Sequence, residues 1–374
     1  MKVERKHREV SRQLLSEIAA GKYGVSGRLP GEDQLVKKFG VSRTTIGRAL
    51  RDLQTEGIIE RRAGSGTYVR QQNSNPSGVR HLGLLIPDLG TIEIFTLICG
   101  ELASVARVHE YTLLWGDSAQ QYHGRDVSPE QAVELSEQFI ERRVSGVFFA
   151  PFEATAGNKG INHSIARRFS NAGIPVVLLD RDSTPFPQRS EFDLVTSDNS
   201  AGGRLLAEHL LKLGCQRLAF VARPNFPSTV EERISGVRDT LLRNQMELPP
   251  DWIQIGDPED VKFVRSLAAG RRWDAVVCAN DLTAAHLMRA LEKNHVRVPR
   301  DLRVVGFDDV KYATLLSVPL TTIHQSARDI AVTAHRAMLD RIAEPTLPAR
   351  MILLSPRLVV RESCGAYLPH RRRN

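Results

Sequence analysis

The sequence predicts an α/β chain preceded by a small, mostly helical module, and three observations predict it. Past residue 80, short apolar runs alternate with helical patterns, the mark of parallel sheets covered on both faces. Before residue 70, apolar residues recur at helical spacing in three short stretches separated by tight turns. The positive charge is unevenly spread. Residues 1–75 hold 15 Lys and Arg against 8 Asp and Glu, a net of +7 out of the +8 carried by all 374 residues. Three arginines at 371–373 leave the stretch 76–370 at about −2. A basic excess confined to one module is the footprint of phosphate binding, whereas a chain-wide excess would argue only for solubility.

The module reads element by element. Val10, Leu14 and Ile18 form one side of a first helix. Leu29-Pro30-Gly31 opens a second, with Leu35, Val36 and Phe39 as its apolar side, and Gly40 turns the chain directly into Val41-Ser42. Ser42 is a good N-cap for a third helix, and Gly57 a natural stop. Ile46, Ala49, Leu50 and Leu53 give that helix one buried stripe, and Arg43, Thr44, Gly47, Arg48 and Arg51 occupy its other face. A helix buried on one side with Arg and Thr on the other suits the major groove, and helix, short turn, helix presents it outward. Ile58–Glu60 and Thr67–Val69 then read as two strands around a basic, glycine-rich tip, Arg61-Arg62-Ala63-Gly64-Ser65-Gly66, able to approach phosphates closely. The same winged form used for protein contacts is the alternative.

Residues 71–80, polar and bearing Pro and Gly, read as a linker. In the body, 82–86, 112–115, 147–150, 176–179, 218–221, 275–278 and 304–307 are the expected strands, with helices at 95–110, 130–143, 161–172, 200–213, 231–244 and 282–293. These βα units suffice for two sheets, whose ligands bind at the carboxyl ends of the strands. No dinucleotide or P-loop signature occurs, and nothing sets a nucleophile or metal ligands beside Asp308-Asp309. Cys99, Cys215, Cys278 and Cys364 are far apart in sequence, which suggests buried reduced thiols in a cytoplasmic protein. No run approaches the roughly 20 apolar residues of a membrane span.

Two resemblances sharpen this. Leu29-Pro30-Gly31-Glu32, Gly40 through Thr45, Gly57-Ile58-Ile59 and Gly64 through Val69 resemble the winged helix-turn-helix of the GntR regulators over nearly all of residues 5–70. The resemblance implies that Arg43, Thr44 and Thr45 at the start of the third helix, and the wing tip Gly64, Ser65 and Gly66, contact double-stranded DNA. Two positions depart from the pattern: Gly47 stands where arginine is usual, and Asp33 where a basic or neutral residue is usual. Arg48 and Arg51 on nearby turns offer replacement contacts.

Leu179-Asp180-Arg181, Ser197 through Arg204, His209 through Gly214, Ala279-Asn280-Asp281, Val305 through Asp309 and Pro319 through Gln325 resemble the effector domain of LacI-type repressors over about residues 80–365. This implies two periplasmic-binding-protein-like lobes joined by three crossovers. The expected boundaries are a head at 1–70, a body at 81–368 and a basic tail at 369–374. Within the body, one lobe takes about 81–191 with 325–353, the other about 192–324 with 354–368. A GntR head on a LacI-type body is the combination of the arabinose-repressor subgroup.

Carried over residue by residue, the resemblance places Asp180, Arg204, Asn280, Asp308 and Gln325 in the cleft. Carboxylates and amides suit vicinal hydroxyls, and arginine can bridge two oxygens. Ile92, Phe95, Trp115, Phe152 and Phe226 are candidates for an apolar wall, and Glu93 and Glu153 for the loops facing it. Arg181 and Arg204 would suit a phosphate or carboxylate. Other roles stay open: Asp180, Asp281 and Asp308 as helix caps, Arg204 as a partner of Asp198, the aromatics as core. The expected function is a ligand-responsive repressor of carbohydrate-metabolism genes. It would act as a homodimer on operator DNA, with a small carbohydrate as effector and no cofactor, metal, membrane or catalytic residue. An activator, or a sensor of nucleobases or sugar phosphates, is the alternative.

Overall fold

Every buried stripe of the amino-terminal module meets the others in one small core. The structure, a computed structural model, describes residues 2–19, 22–23, 28–55, 58–62, 66–69, 80–86, 93–115, 128–153 and 160–368. The chain divides into two units, Met1–Gly78 and Val79–Asn374. In the first, α1 (Lys2–Ala19), α2 (Glu32–Phe39) and α3 (Arg43–Thr55) precede an antiparallel hairpin of β1 (Ile59–Arg62) and β2 (Gly66–Val69). Val10, Leu14, Leu35, Ile46, Ala49, Leu50, Leu53 and Ile59 form the core. Gly40 ends α2 in the left-handed conformation, φ 61°, and its N–H closes on Val36 O. Ser42 caps α3, its hydroxyl accepting from Thr45 N at 3.3 Å. The expected stop at Gly57, the linker but for Arg80, the wing-tip residues Gly64 and Ser65 and the tail 369–374 lie outside the described residues.

The second unit contains two parallel sheets. In the larger, β3 (Arg80–Leu85), β4 (Tyr111–Trp115), β5 (Gly146–Phe149), β6 (Val176–Leu179), β7 (Asp193–Ser197) and β13 (Met351–Leu354) lie in the order β4-β3-β5-β6-β7-β13. Alternate residues of these continuous apolar runs serve opposite faces, as the two-residue period requires. Phe148, Val177 and Leu179 pack with α4 (Glu93–Val108) and α11 (Ala327–Ala343). Val147, Phe149, Val176 and Leu178 pack with α5 (Pro129–Glu141) and α6 (Ile161–Asn171). Phe148 and Phe149 are fully buried on opposite faces, each contributing about 1.5–3 kcal/mol.

The smaller sheet has the order β9-β8-β10-β11, from β8 (Leu218–Ala222), β9 (Ile253–Ile255), β10 (Ala275–Cys278) and β11 (Arg303–Val305). It packs with α7 (Asn199–Lys212), α8 (Ser228–Arg243), α9 (Val261–Ala268) and α10 (Asp281–Lys293) around one core. Strands β12 (Thr322–His324) and β14 (Arg357–Val359) pair antiparallel where the chain leaves and re-enters this lobe. The chain thus crosses three times, at 197–199, 324–327 and 354–357. Asp193–Ser197 is a strand of the first sheet, so the first crossing falls after Ser197 rather than near 192. All four cysteines are buried and free. No helix among the described residues is long and apolar enough to cross a membrane.

Candidate nucleic-acid interface and effector cleft

Burial of Ile46, Ala49, Leu50 and Leu53 turns the opposite side of α3 outward. Arg43, Thr44, Arg48 and Arg51 are exposed. Arg51 Nε donates to Gly47 O at 3.2 Å. Arg43 is 69% exposed and lies 3.5 Å from Glu32 and 3.6 Å from Asp33. Glu32 also accepts from Arg61 of β1 at 2.9 Å. The departure at Asp33 is therefore matched by Arg43 instead of standing alone. Thr45 differs from its neighbours: it is buried, and its Oγ1 lies 2.8 Å from Ser42 Oγ. That position makes Thr45 part of the helix cap and takes it out of the outward face. Gly66 opens β2 with φ 128°, a conformation that suits glycine.

In the second unit, the loops at the carboxyl ends of both sheets bring charged groups together. Asp180 follows β6, and its carboxylate accepts from Arg181 Nε at 3.0 Å. Arg181 is buried over the Phe95 ring, 5.5 Å from its centroid, and points Nη1 toward Glu153 at 3.9 Å. From the smaller lobe comes Arg233 of α8, also buried. Its Nε donates to Asn199 Oδ1 at 2.9 Å and its Nη1 to Ala279 O at 2.6 Å. Its Nη2 lies 3.8 Å from Asp308, and the guanidinium stacks 3.7 Å over Phe307. Gln325, on the second crossing, donates to Asp308 at 2.7 Å. Burial pushes the Asp308 carboxyl up while Arg233 and Gln325 pull it down, and the Asp180 charge from the other lobe adds to the upward push.

The backbone holds these carboxylates in uncommon conformations. Asp180, Asp308 and Asp309 have φ of 68°, 120° and 59°, values that non-glycine residues adopt only where the surroundings enforce them. Asp308 N bonds Ile323 O at 2.8 Å, and Asp309 accepts from Arg361 and lies 2.8 Å from His324 Nδ1. Neither Asp180 nor Asp308 caps a helix. The caps fall on Asp198, which accepts from Ala201 N, and on Asn280, which accepts from Thr283 N. The cap expected of Asp281 thus belongs to Asn280. Asp281 is buried instead against Thr322 Oγ1 at 2.6 Å and Val310 N at 3.1 Å.

Asp180, Arg181, Phe95, Asp308 and Gln325 therefore gather at the junction, and Asn280 borders it as a cap. Glu93 begins α4, and its charge reaches Tyr312 of the other lobe, whose phenol is pushed up by burial and by Asp281, Asp308 and Glu93. Arg204 is exposed on α7, and Trp115 is 39% exposed at the end of edge strand β4. No hydrogen bond or ion pair joins either to the cluster among the described residues. Phe95 and Phe152 are core, Phe226 is partly buried, and Ile92 lies outside the described residues.

Arg233, Asn199 and Glu232 were not among the sequence candidates. A signal for Arg233 existed: it stands on the buried stripe of α8 with Val230, Ile234 and Val237. Two glycines seat it. A Cβ on Gly236 would stand 2.0 Å from Ser200 O, and one on Gly203 would stand 2.2 Å from Arg233 O. Gly236→Ala should force α7 and α8 apart, costing about 1–3 kcal/mol and displacing Arg233. Urea denaturation measures the first effect, and the Arg233–Asn199 distance in a crystal of the variant the second.

Residues 6–69 match the model for bacterial regulatory proteins of the gntR family, and residues 207–364 the model for a periplasmic binding protein-like domain. The arabinose metabolism transcriptional repressor of Geobacillus stearothermophilus is 26% identical over 369 residues, covering 96% of this chain and 97% of that protein. The ribose operon repressor of Halalkalibacterium halodurans is 25% identical, covering 88% and 95%. Among solved structures, a transcriptional regulator CelR–cellobiose complex matches with a TM-score of 0.65 at 22% identity, covering 86% of this chain and 91% of that one. Fold and relatives define a DNA-binding transcription regulator with a ligand-sensing body. The chain carries a gntR-family head and a periplasmic binding protein-like domain, and over nearly its whole length it is similar to the arabinose metabolism repressor.

Proposed function

We propose that this regulator is a cytoplasmic homodimer that represses carbohydrate-metabolism genes and leaves its operator when a small carbohydrate occupies the junction of the two lobes. The observation that carries it is the meeting of Asp180 from one lobe with Arg233 and Asp308 from the other, beside Asn199 and Gln325 on two of the crossings. A ligand touching Gln325 or Asn199 acts on the segments about which the lobes move, so its binding energy biases their arrangement. Carboxylate and amide acceptors with guanidinium donors suit a compact ring of hydroxyls. The arabinose and ribose repressors among the relatives favour the same chemistry. Relatives that are transcriptional repressors support a site that binds its ligand over one that turns it over.

Two heads in a dimer span half-sites about one helical turn apart. Coupling of about 1–3 kcal/mol between effector and operator weakens DNA binding roughly 5- to 150-fold. A thermal-shift screen of sugars tests effector class: at 100 times its dissociation constant a ligand stabilises the fold by about 2.7 kcal/mol. No shift with any carbohydrate would reject that class. On the DNA side, Arg43→Ala should weaken specific operator binding roughly 5- to 150-fold, the loss of one base contact. Arg48→Ala should lower the salt slope of binding by about one if it meets phosphate. Unchanged binding at physiological salt would remove Arg43 from the interface.

A further inference from the structure

Glu232 lies on α8 next to Arg233, partly buried, and its Oε2 accepts from Asn199 Nδ2 at 3.3 Å. Asn199 thereby ties it to Arg233, whose Nε the same side chain accepts. Both arginines at the junction already face carboxylates of this chain. Arg181 has Asp180 at 3.0 Å and Glu153 at 3.9 Å, and Arg233 has Asp308 at 3.8 Å. Glu232 has no cation within ion-pair distance among the described residues. Burial pushes it up to about 7, with Asn199 and Arg233 pulling down and Asp180 and Asp198 adding to the rise. A phosphate dianion entering above that pH would meet guanidiniums that already face carboxylates of this chain, and a further carboxylate charge at Glu232. A neutral polyol would meet three carboxyl groups ready to accept from its hydroxyls.

We infer that Glu232 is a specificity-determining residue of the cleft, admitting neutral carbohydrates and rejecting their phosphorylated forms. The inference rests on the carbohydrate-sensor assignment above. It also removes the reason to expect phosphate recognition from Arg181, and Arg204 stands outside the cluster.

The test is calorimetric titration of the full chain at pH 8, above the Glu232 value of about 7, with matched pairs: D-ribose and D-ribose 5-phosphate, D-arabinose and D-arabinose 5-phosphate, D-glucose and D-glucose 6-phosphate. In the wild type, any pair that binds should favour the unphosphorylated member by about tenfold or more. Glu232→Gln should narrow that gap by about tenfold, because one like charge is removed while the amide still fills the site. A phosphorylated member binding as tightly as its partner in the wild type overturns the inference and leaves the sensor assignment standing. An unchanged gap in E232Q removes Glu232 from the role. Binding by no member of any pair takes away the carbohydrate assignment and this inference with it. The wild-type comparison decides on its own if E232Q fails to fold.

Discussion

Arg233→Ala is expected to disable effector sensing. The side chain is buried, and three of its contacts are to groups with few substitutes: Asn199 Oδ1, Ala279 O and Asp308. Truncation leaves Asp308 facing Asp180 with Gln325 as its one side-chain donor among the described residues. Removing one partner of a buried, hydrogen-bonded charge pair typically costs about 2–5 kcal/mol, which is roughly 30- to several-thousand-fold in affinity. Operator occupancy should then persist at carbohydrate concentrations that release the wild type. Arg233→Lys should fall between the two, since an ammonium lacks the planar fork that serves Asn199, Ala279 and Asp308 together. Calorimetry on the three proteins checks the order. Equal effector affinity in all three would detach Arg233 from the site.

The largest loss of stability is expected from Asp193→Ala. Asp193 is 1% exposed and accepts from Arg350 N at 2.7 Å, Arg350 Nη2 at 3.0 Å and Arg341 Nη2 at 2.8 Å. These bonds join β7 to α11 and to the start of β13, the strand that leads into the third crossing. Without the carboxylate, two guanidiniums lose their shared partner, and breaking a buried pair from one side costs about 3–5 kcal/mol. Burial alone would push the Asp193 carboxyl up, but the Arg350 and Arg341 bonds outweigh it and hold it below the usual aspartate range. A carboxyl lowered in the folded state stabilises fully above its unfolded value. That contribution disappears as pH falls through the lower folded value. The wild type should therefore lose this contribution in acid, and Asp193→Ala should lack that acid-dependent portion. Urea unfolding between pH 3 and 7 measures both; parallel curves would deny Asp193 the role.

Glu232 has the opposite sign. Its folded value lies above the ordinary glutamate value, so it stabilises below that ordinary value and the contribution is lost as pH rises toward about 7.

Much of the fold was legible in the chain, for reasons that also explain the omissions. Helix α3 carries its apolar stripe in its own sequence, and β5 and β6 are continuous apolar runs. Strand β7 hides because Asp193, Thr196 and Ser197 are buried polar residues. What satisfies Asp193 is Arg341 and Arg350, some 150 residues away, beyond any local pattern. Helix α11 hides because much of its buried face is alanine: Ala331, Ala334 and Ala337. The candidate site divides the same way. Asp180 and Arg181 directly follow the end of β6, and Asp308 lies three residues past β11, where ligands of parallel sheets bind. Arg233 sits inside a helix rich in charge and reaches the junction only because Gly203 and Gly236 let two helices close. Arg204 shares the residue type expected there and lacks that burial.

The most direct test of the account is an operator titration at fixed physiological salt, with and without a carbohydrate shown by calorimetry to bind the full chain. The saturating sugar should weaken operator binding by about 5- to 150-fold, and the operator should weaken sugar binding by the same factor, as linkage requires. A sugar that binds the body and leaves operator affinity unchanged would contradict it.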